Sequence, residues 1–416
     1  MLKNNAKISI VGAGLSGLAA AINLEKAGFS PVIYEATSEV GGRVKTDLVE
    51  GYQLDHGFQV MLDAYPKAKE YFDYSTLDLQ RLLPGAIIYS EGREYTLGDP
   101  SRYFPFLLPT VESGIASLRD MYLMWKLHRE LQSTSIEAIF ELPEMSTLDF
   151  LNKRGFSQKL LRNFFKPFFS GIFLEPDLST SSRMFCFVFK MFGQGNAVIP
   201  KGGMSALPEQ LLQKLQKTVI HYNTPVKKIE EGKITLKDGK EIVTDLVLIA
   251  TDDQSLIPSA RQVPVRWHGC DTLYFETEKR SIPKPLIGLV AKEGSLINNL
   301  FYPTSISTTS RGKKELLSVT VVRDHDLEEG VLIEKIKEEL KAVCRVENPR
   351  FLKKYRINKA LPRINSLKAS WDEDMGKIGN TIFLAGDYLL YGSSNAALLS
   401  GEKAAQAIIR QLSSVK

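Results

Sequence analysis

The sequence predicts an α/β fold in which a dinucleotide-binding βαβ unit opens one domain and a second, α+β domain interrupts it. Three observations carry that prediction. Residues 8–35 run strand, glycine turn, helix, strand and acid, the order that grips a nucleotide. The α/β alternation is lost between about residues 67 and 195 and then returns. A length of 416 residues also exceeds what one hydrophobic core usually serves, so two domains are the default.

Composition narrows the function class. Hydrophobic residues make up 44% and charged residues 24%, as in an ordinary globular protein. The net charge of +5 suits an anionic cofactor or a membrane surface. There is no dense Lys/Arg run, which speaks against nucleic acid as a partner. Cys186, Cys270 and Cys344 are far apart, and no C-x-x-C occurs. Neither a redox disulfide nor a metal site is expected, and a reducing, cytoplasmic compartment is. The first strand starts near Lys7, so no signal peptide is expected, and no apolar run approaches bilayer length.

Ile8-Ser-Ile-Val11 reads as a buried parallel strand. Gly12, Gly14 and Gly17 follow at G-x-G-x-x-G spacing. They would serve a tight turn, backbone approach to pyrophosphate, and close helix–strand packing. The next helix carries Leu15, Leu18, Ala19 and Ile22 on a small-residue face, and Gly28 ends it. Its first amides would point at the pyrophosphate. Val32-Ile-Tyr34 is the second strand, and Glu35 at its end can accept hydrogen bonds from ribose hydroxyls.

Gly41-Gly42-Arg43 comes next. With the preceding fingerprint, this pattern resembles the flavoprotein superfamily of flavin amine oxidases, protoporphyrinogen oxidase and phytoene desaturases. The resemblance implies a Rossmann-like FAD-binding domain of the glutathione-reductase type. It places Leu15, Ser16, Ala36, Gly41, Gly42 and Arg43 against a non-covalent FAD. The segment Asp55-His56-Gly57-Phe58 resembles the stretch that approaches the flavin edge, with Gly57 and Phe58 as neighbours. His56 is either a flavin neighbour, a proton shuttle, a covalent attachment point or a packed, hydrogen-bonded histidine.

Further along, residues 111–131 read as helical, with Leu118, Tyr122, Trp125 and Leu131 recurring at three-to-four spacing and charges between them. Tyr103 to Pro109 reads as an apolar loop. Phe104, Phe106, Leu107 and Leu108 could touch a membrane, but a covered loop is the expectation. Residues 164–192 hold nine of the 21 phenylalanines. They form either a helical core, the preferred reading, or the wall of a cavity for a greasy substrate.

Gly202-Gly203-Met204 resembles the family's return to the FAD domain, leading into a helix over 205–217. A strand over 219–223 follows, and the resemblance gives Val226 a backbone contact with adenine. Ile234-Thr-Leu and Glu241-Ile-Val form a hairpin, with Asp238-Gly239 as a type I′ turn. Residues 245–250 are a buried strand ending at Ala250. Strands over 272–275, 286–290 and 316–322 and an amphipathic helix over 327–343 build the second domain. The terminal block, Thr381 to Tyr388 and then Ser394-Asn395-Ala396, resembles the last FAD motif. There Gly386 and Asp387 meet the cofactor and a helix capped by Ser393 or Ser394 aims its amides at the flavin.

These matches imply an FAD-binding domain over 1–66, 196–255 and 351–416. The substrate domain then covers 67–195 and 256–350. The implied activity is oxidation of a small, hydrophobic organic molecule by hydride transfer to flavin N5, with His56, Tyr388 and Tyr391 nearest the chemistry. Three departures bear on the substrate. The last block has no cysteine for a thioether, no lysine clearly matches the one amine oxidases hold near N5 (Lys190 and Lys284 are candidates), and no second dinucleotide motif appears. Other readings are a redox-neutral flavin mutase, a binding protein like the Rab GDP-dissociation inhibitor, and an NAD-dependent dehydrogenase. Peripheral membrane contact is compatible with all of this, and oligomeric state is open.

Overall fold

The computed structural model describes residues 6–258, 265–364, 367–372 and 375–414; the outer limits of the expected domains, residues 1 and 416, lie outside them. Two sheets dominate. The first has six strands in the order Val219–His221, Val32–Tyr34, Ile8–Val11, Leu246–Ile249, Ile382–Leu384, Lys377–Ile378. All pairs are parallel except the last. Its central strands, Ile8–Val11 and Leu246–Ile249, are buried along their whole length, as covered parallel strands must be. Helices Leu15–Lys26 and Ser394–Ser414 pack together on one face.

The second sheet has seven strands, in the order Arg350–Arg363, Arg266–Thr277, Glu315–Val321, Asn299–Phe301, Ile287–Val290, Gly85–Ser90, Arg93–Gly98. Helix Glu329–Ala342 covers it with Leu332, Ile336 and Leu340, so three apolar side chains at helical spacing close that core. The expected boundary at residue 351 falls inside its longest strand. Arg350–Arg363 mixes exposed charged residues with half-buried ones and pairs antiparallel with Arg266–Thr277. Half of its residues are apolar, as a strand covered on one face requires, but they do not alternate with the polar ones, so no strand period marks it. The hairpin Gly85–Ser90 and Arg93–Gly98 likewise puts strands into residues 67–195, where no strand was expected.

Several local expectations change. The helix expected over 111–131 is two helices, Leu107–Ser113 and Leu118–Ser133. Gly114 ends the first at φ +58°, and a capping box between Ser117 and Asp120 starts the second. The expected loop 103–109 is instead a short 3-10 turn, Phe104–Phe106, running into that first helix. Pro105 and Pro109 are tolerated there because first-turn amides need no partner. The segment is also not covered: Phe106 is buried, but Phe104, Leu107 and Leu108 are exposed. The Asp238-Gly239 turn is not type I′, which needs positive φ at both residues. Only Gly239 is left-handed, at φ +91°, and Leu236 pairs with Lys240 across a three-residue loop.

The phenylalanine-rich segment serves both proposed ends. Phe165, Phe185 and Phe187 lie in the core, while Phe164, Phe168, Phe169, Phe173, Phe189 and Phe192 face a large cavity. No helix among the described residues is long and apolar enough to cross a membrane.

Candidate functional site: a cavity joining the glycine turn to the phenylalanine wall

One cavity of about 1140 Å³ runs from the first glycine turn to the phenylalanine-rich helices. The turn at its nucleotide end is built by close backbone approach. Gly12 takes φ +101° and its amide donates to the Tyr34 carbonyl at 2.9 Å. A Cβ on Gly17 would stand 2.1 Å from the Gly12 carbonyl oxygen, so only glycine lets the helix sit this close. A Cβ on Gly14 would meet nothing within 4 Å. The backbone there is bare to the cavity. No side chain caps helix Leu15–Lys26, so its first-turn amides are available to an anion.

The doubled glycine docks on that turn. Gly41 sits at φ +114°, and its amide donates to the Ala13 carbonyl at 2.9 Å. A Cβ on Gly42 would lie 3.4 Å from the Gly14 Cα. Glu35 is buried and held by three donors: the Ala13 amide at 2.7 Å, the Thr37 amide at 2.9 Å and the Thr37 hydroxyl at 2.8 Å. A carboxylate offers about four acceptor positions, so one is left for a ribose hydroxyl. The Arg43 guanidinium pairs with Asp387, 344 residues away, donates to the Ala360 carbonyl at 3.1 Å, and lies 4.9 Å from the Trp267 ring centre. The cradle, the open backbone, the acid and the cation fit the ADP half of FAD.

Leu15, Ser16, Ala36, Gly57, Phe58, Val226, Ala250, Gly386, Tyr388 and Ser394 also line the cavity. Gly17, Asn395, Ala396 and Tyr391 do not. Gly17 acts through packing. Asn395 is buried and ties the start of the last helix down: its amide donates to the Tyr391 hydroxyl at 2.6 Å and its carbonyl accepts from the Lys67 amide at 2.8 Å. Ser393 rather than Ser394 caps that helix, accepting from the Ala396 amide at 3.1 Å. Tyr391 packs against Phe140 and Phe187 in the core and walls no cavity. Tyr388 reaches the Thr251 carbonyl, beside the glycine turn, and burial pushes its phenol up.

His56 touches the cavity, yet its imidazole is committed elsewhere. Nε2 lies 3.0 Å from Asp47 Oδ1, and the ring sits 4.5 Å from that of Tyr355. Tyr355 donates to the other Asp47 oxygen at 2.7 Å. Burial pushes the Asp47 carboxyl up, but hydrogen bonds from Tyr355 and His56 outweigh it and hold it below its usual range. No motif marks this trio, nor Trp267, Ile357 and Ala360, which the unforeseen long strand and its partner bring to the wall.

The neighbouring Asp55, the acid of the segment expected to approach the flavin edge, does not line the cavity. Its carboxylate accepts from the Thr46 hydroxyl at 2.6 Å and the Met204 amide at 3.0 Å, joining strand Thr46–Val49 to the turn before helix Ala206–Gln213. Burial dominates and pushes its pKa up to about 6 despite those donors. A raised folded pKa adds stability below the unfolded value, and that stability is lost as pH rises through about 6. Asp55→Asn keeps the acceptor and removes the charge. Relative to wild type it should gain about 1–3 kcal/mol between pH 4 and 6 in thermal melts. Parallel melting curves across that range would show that Asp55 does not titrate this way.

The far end is mainly apolar, with Asp99, Arg102, Thr110 and His128 as polar side chains among the lining. Met121, Met124 and Trp125 face the phenylalanines, with Asn299 and Thr320 as the sheet's polar contribution. Lys190 donates to the Leu131 and Gln132 carbonyls, Lys284 lies over Tyr103, and neither lines the cavity. Among the described residues no group of three or more His, Cys, Asp or Glu could hold a metal.

This architecture has known counterparts. A model of the family described as flavin containing amine oxidoreductase matches residues 15–409. Protoporphyrinogen oxidase 2 of Arabidopsis thaliana is 24% identical over 257 residues, covering 58% of this chain and 46% of its own. The chain thus spans about half the length of that relative. The 15-cis-phytoene desaturase of Synechococcus elongatus is 23% identical over 481 aligned positions, covering 97% of this chain and 96% of its own. Cyclohexylamine oxidase from Brevibacterium oxydans has the same fold, with a TM-score of 0.70 at 16% identity over 98% of this chain and 99% of its own. The match over nearly the whole length, on a fold that joins glycine turn, acid and arginine in one cavity, places the chain in the flavin-containing amine oxidoreductase family.

Proposed function

We propose that the chain is an FAD-dependent oxidoreductase that oxidises a small, hydrophobic organic molecule. One observation carries this reading: a single cavity is a nucleotide cradle at one end and a phenylalanine wall at the other. Bound FAD supplies a two-electron acceptor at flavin N5. The chain's own residues bind and orient. Glu35 accepts from ribose hydroxyls, and the bare turn amides with Arg43 balance the pyrophosphate charge. Asp387 holds Arg43 in place. Helix Ser394–Ser414, capped by Ser393, begins at the cavity wall, where its N-terminal end would favour the negative charge of a reduced flavin. The phenylalanines exclude water and position the apolar body of the substrate.

The absence of Lys190 and Lys284 from the cavity wall favours desaturase- or dehydrogenase-like oxidation over that of an amine. The FAD-binding part is drawn from the opening segment, residues 196–258 and the chain after residue 364, since Arg350–Arg363 belongs to the other sheet. With Nε2 held by Asp47, His56 is read as a positioning residue rather than a covalent attachment point.

Purified protein should be yellow and release flavin on acid precipitation. Glu35→Ala should weaken FAD binding about tenfold or more in a fluorescence titration, since hydrogen bonds to a charged group are lost. Equal affinity in the variant would remove Glu35 from the cofactor site. In an anaerobic stopped-flow screen, isoprenoid polyenes or porphyrinogens should bleach the flavin and primary amines should not. Bleaching by amines alone would reverse the substrate reading.

A further inference from the structure

Seven of the twelve large hydrophobic side chains exposed among the described residues fall within one stretch, from Phe104 to Trp125. Six of them form two stripes. Phe104, Leu108 and Val111 recur at i, i+4, i+7 through the turn and helix Leu107–Ser113, and Leu118, Tyr122 and Trp125 repeat that spacing on helix Leu118–Ser133. Such stripes normally face a core. Here Leu118 is 81% exposed and Phe104 76%, while a separate face of the second helix, with Leu127 and Leu131, packs inward. An apolar surface of this extent marks a place of contact.

The position of the surface identifies its partner. Leu107, Val111 and Trp125 are exposed and also line the cavity, so the cavity opens between the two helices, in the middle of the apolar face. A protein seated there would plug the mouth. A lipid bilayer would instead let an apolar molecule enter without crossing water. The charge agrees: Arg119, Lys126 and Arg129 are exposed on the second helix, and Lys159 lies beside Gly114, its Nζ 3.8 Å from where a Cβ would stand. The nearby acids are mostly engaged. Asp120 is taken by the capping box and by Ser157, and Glu130 by a two-pronged pair with Arg154 at 2.6 Å. Glu112 is exposed. Trp125, with Arg129 5.3 Å from its ring, and Tyr122 are the amphipathic residues that settle at headgroup depth. The face is already ordered: Asp120 also accepts from the Ser157 amide, and the Thr110 hydroxyl bridges the Gly98 amide and carbonyl.

We propose that the surface formed by Phe104–Ser113 and Leu118–Ser133 docks on an anionic lipid bilayer, with the cavity mouth open to the acyl chains. This deepens the hydrophobic-substrate reading above and rests on it for its purpose, but its test does not depend on turnover. Holoprotein should sediment with vesicles of equimolar phosphatidylcholine and phosphatidylglycerol, and less well with phosphatidylcholine alone. The double variant F104E/L118E, outside the cavity wall, should lose about tenfold or more in vesicle affinity while keeping its FAD content and melting temperature. Lys126→Glu with Arg129→Glu should remove the preference for the anionic vesicles. Wild-type protein that stays in the supernatant with both vesicles, or F104E/L118E that binds as well as wild type, would overturn the proposal. So would a concentration-dependent dimer, lost in F104E/L118E without any vesicle binding. Vesicle binding that survives a failure to oxidise any apolar donor would leave the surface standing and sink only the substrate reading.

Discussion

Gly401→Val is expected to release FAD and to cost the fold about 3 kcal/mol or more, at the upper end of overpacking penalties. Gly401 lies in helix Ser394–Ser414, where that helix crosses Leu15–Lys26. A Cβ at this position would stand 2.1 Å from the Ser16 carbonyl oxygen and 3.1 Å from its Cα. These are backbone atoms, so no rotamer change can relieve the clash and the helices must separate. Ser16 lines the nucleotide end of the cavity, and Ser400 binds the Gly386 amide at 3.0 Å. Separation therefore moves the phosphate turn and the Gly386-Asp387 segment at once. Flavin fluorescence during a thermal melt reads both effects. Gly330→Ala is the control: its Cβ would meet nothing within 4 Å, and alanine favours a helix over glycine by about 1 kcal/mol. If Gly401→Val kept its flavin to the wild-type melting temperature, the close crossing would have no role in holding the site.

What the sequence revealed and what it hid divide along physical lines. The glycine turn and Glu35 are local: strand, turn, helix and acid follow one another within 30 residues, and each residue type is dictated by backbone approach or hydrogen bonding. Arg43 and Asp387 meet across 344 residues, and only a resemblance could bring them together. Arg350–Arg363 escaped because lysines and arginines fill a strand whose packing face is only partly covered. Trp267 and the Asp47–His56–Tyr355 trio have no spacing signature, since their neighbours come from separate strands. The apolar loop near residue 104 was expected to be covered because exposure of phenylalanine and leucine is the exception. That exception is what makes its exposure informative.

The phenylalanine-rich segment shows how far composition reaches, and Phe187→Asp tests the distinction it leaves open. Placed on a cavity wall, an aspartate would spoil turnover and spare the fold. The structure gives Phe187 no share of the cavity. Its ring is fully buried, 5.8 Å from Tyr65, 5.7 Å from Phe140 and 5.2 Å from Tyr391, centre to centre. No cation is among these neighbours, so a carboxylate would be left uncompensated in an apolar core. The expected cost is about 4 kcal/mol or more, among the largest single-residue effects, and the variant should be insoluble or unfolded. Phe168→Ala, on the cavity wall and half-buried, should fold, hold FAD and raise the KM of an apolar donor instead. Circular dichroism with flavin content separates the two outcomes. A folded, flavin-loaded but inactive Phe187→Asp would return this side chain to the substrate wall, and the core would then end one helical turn earlier than the packing indicates.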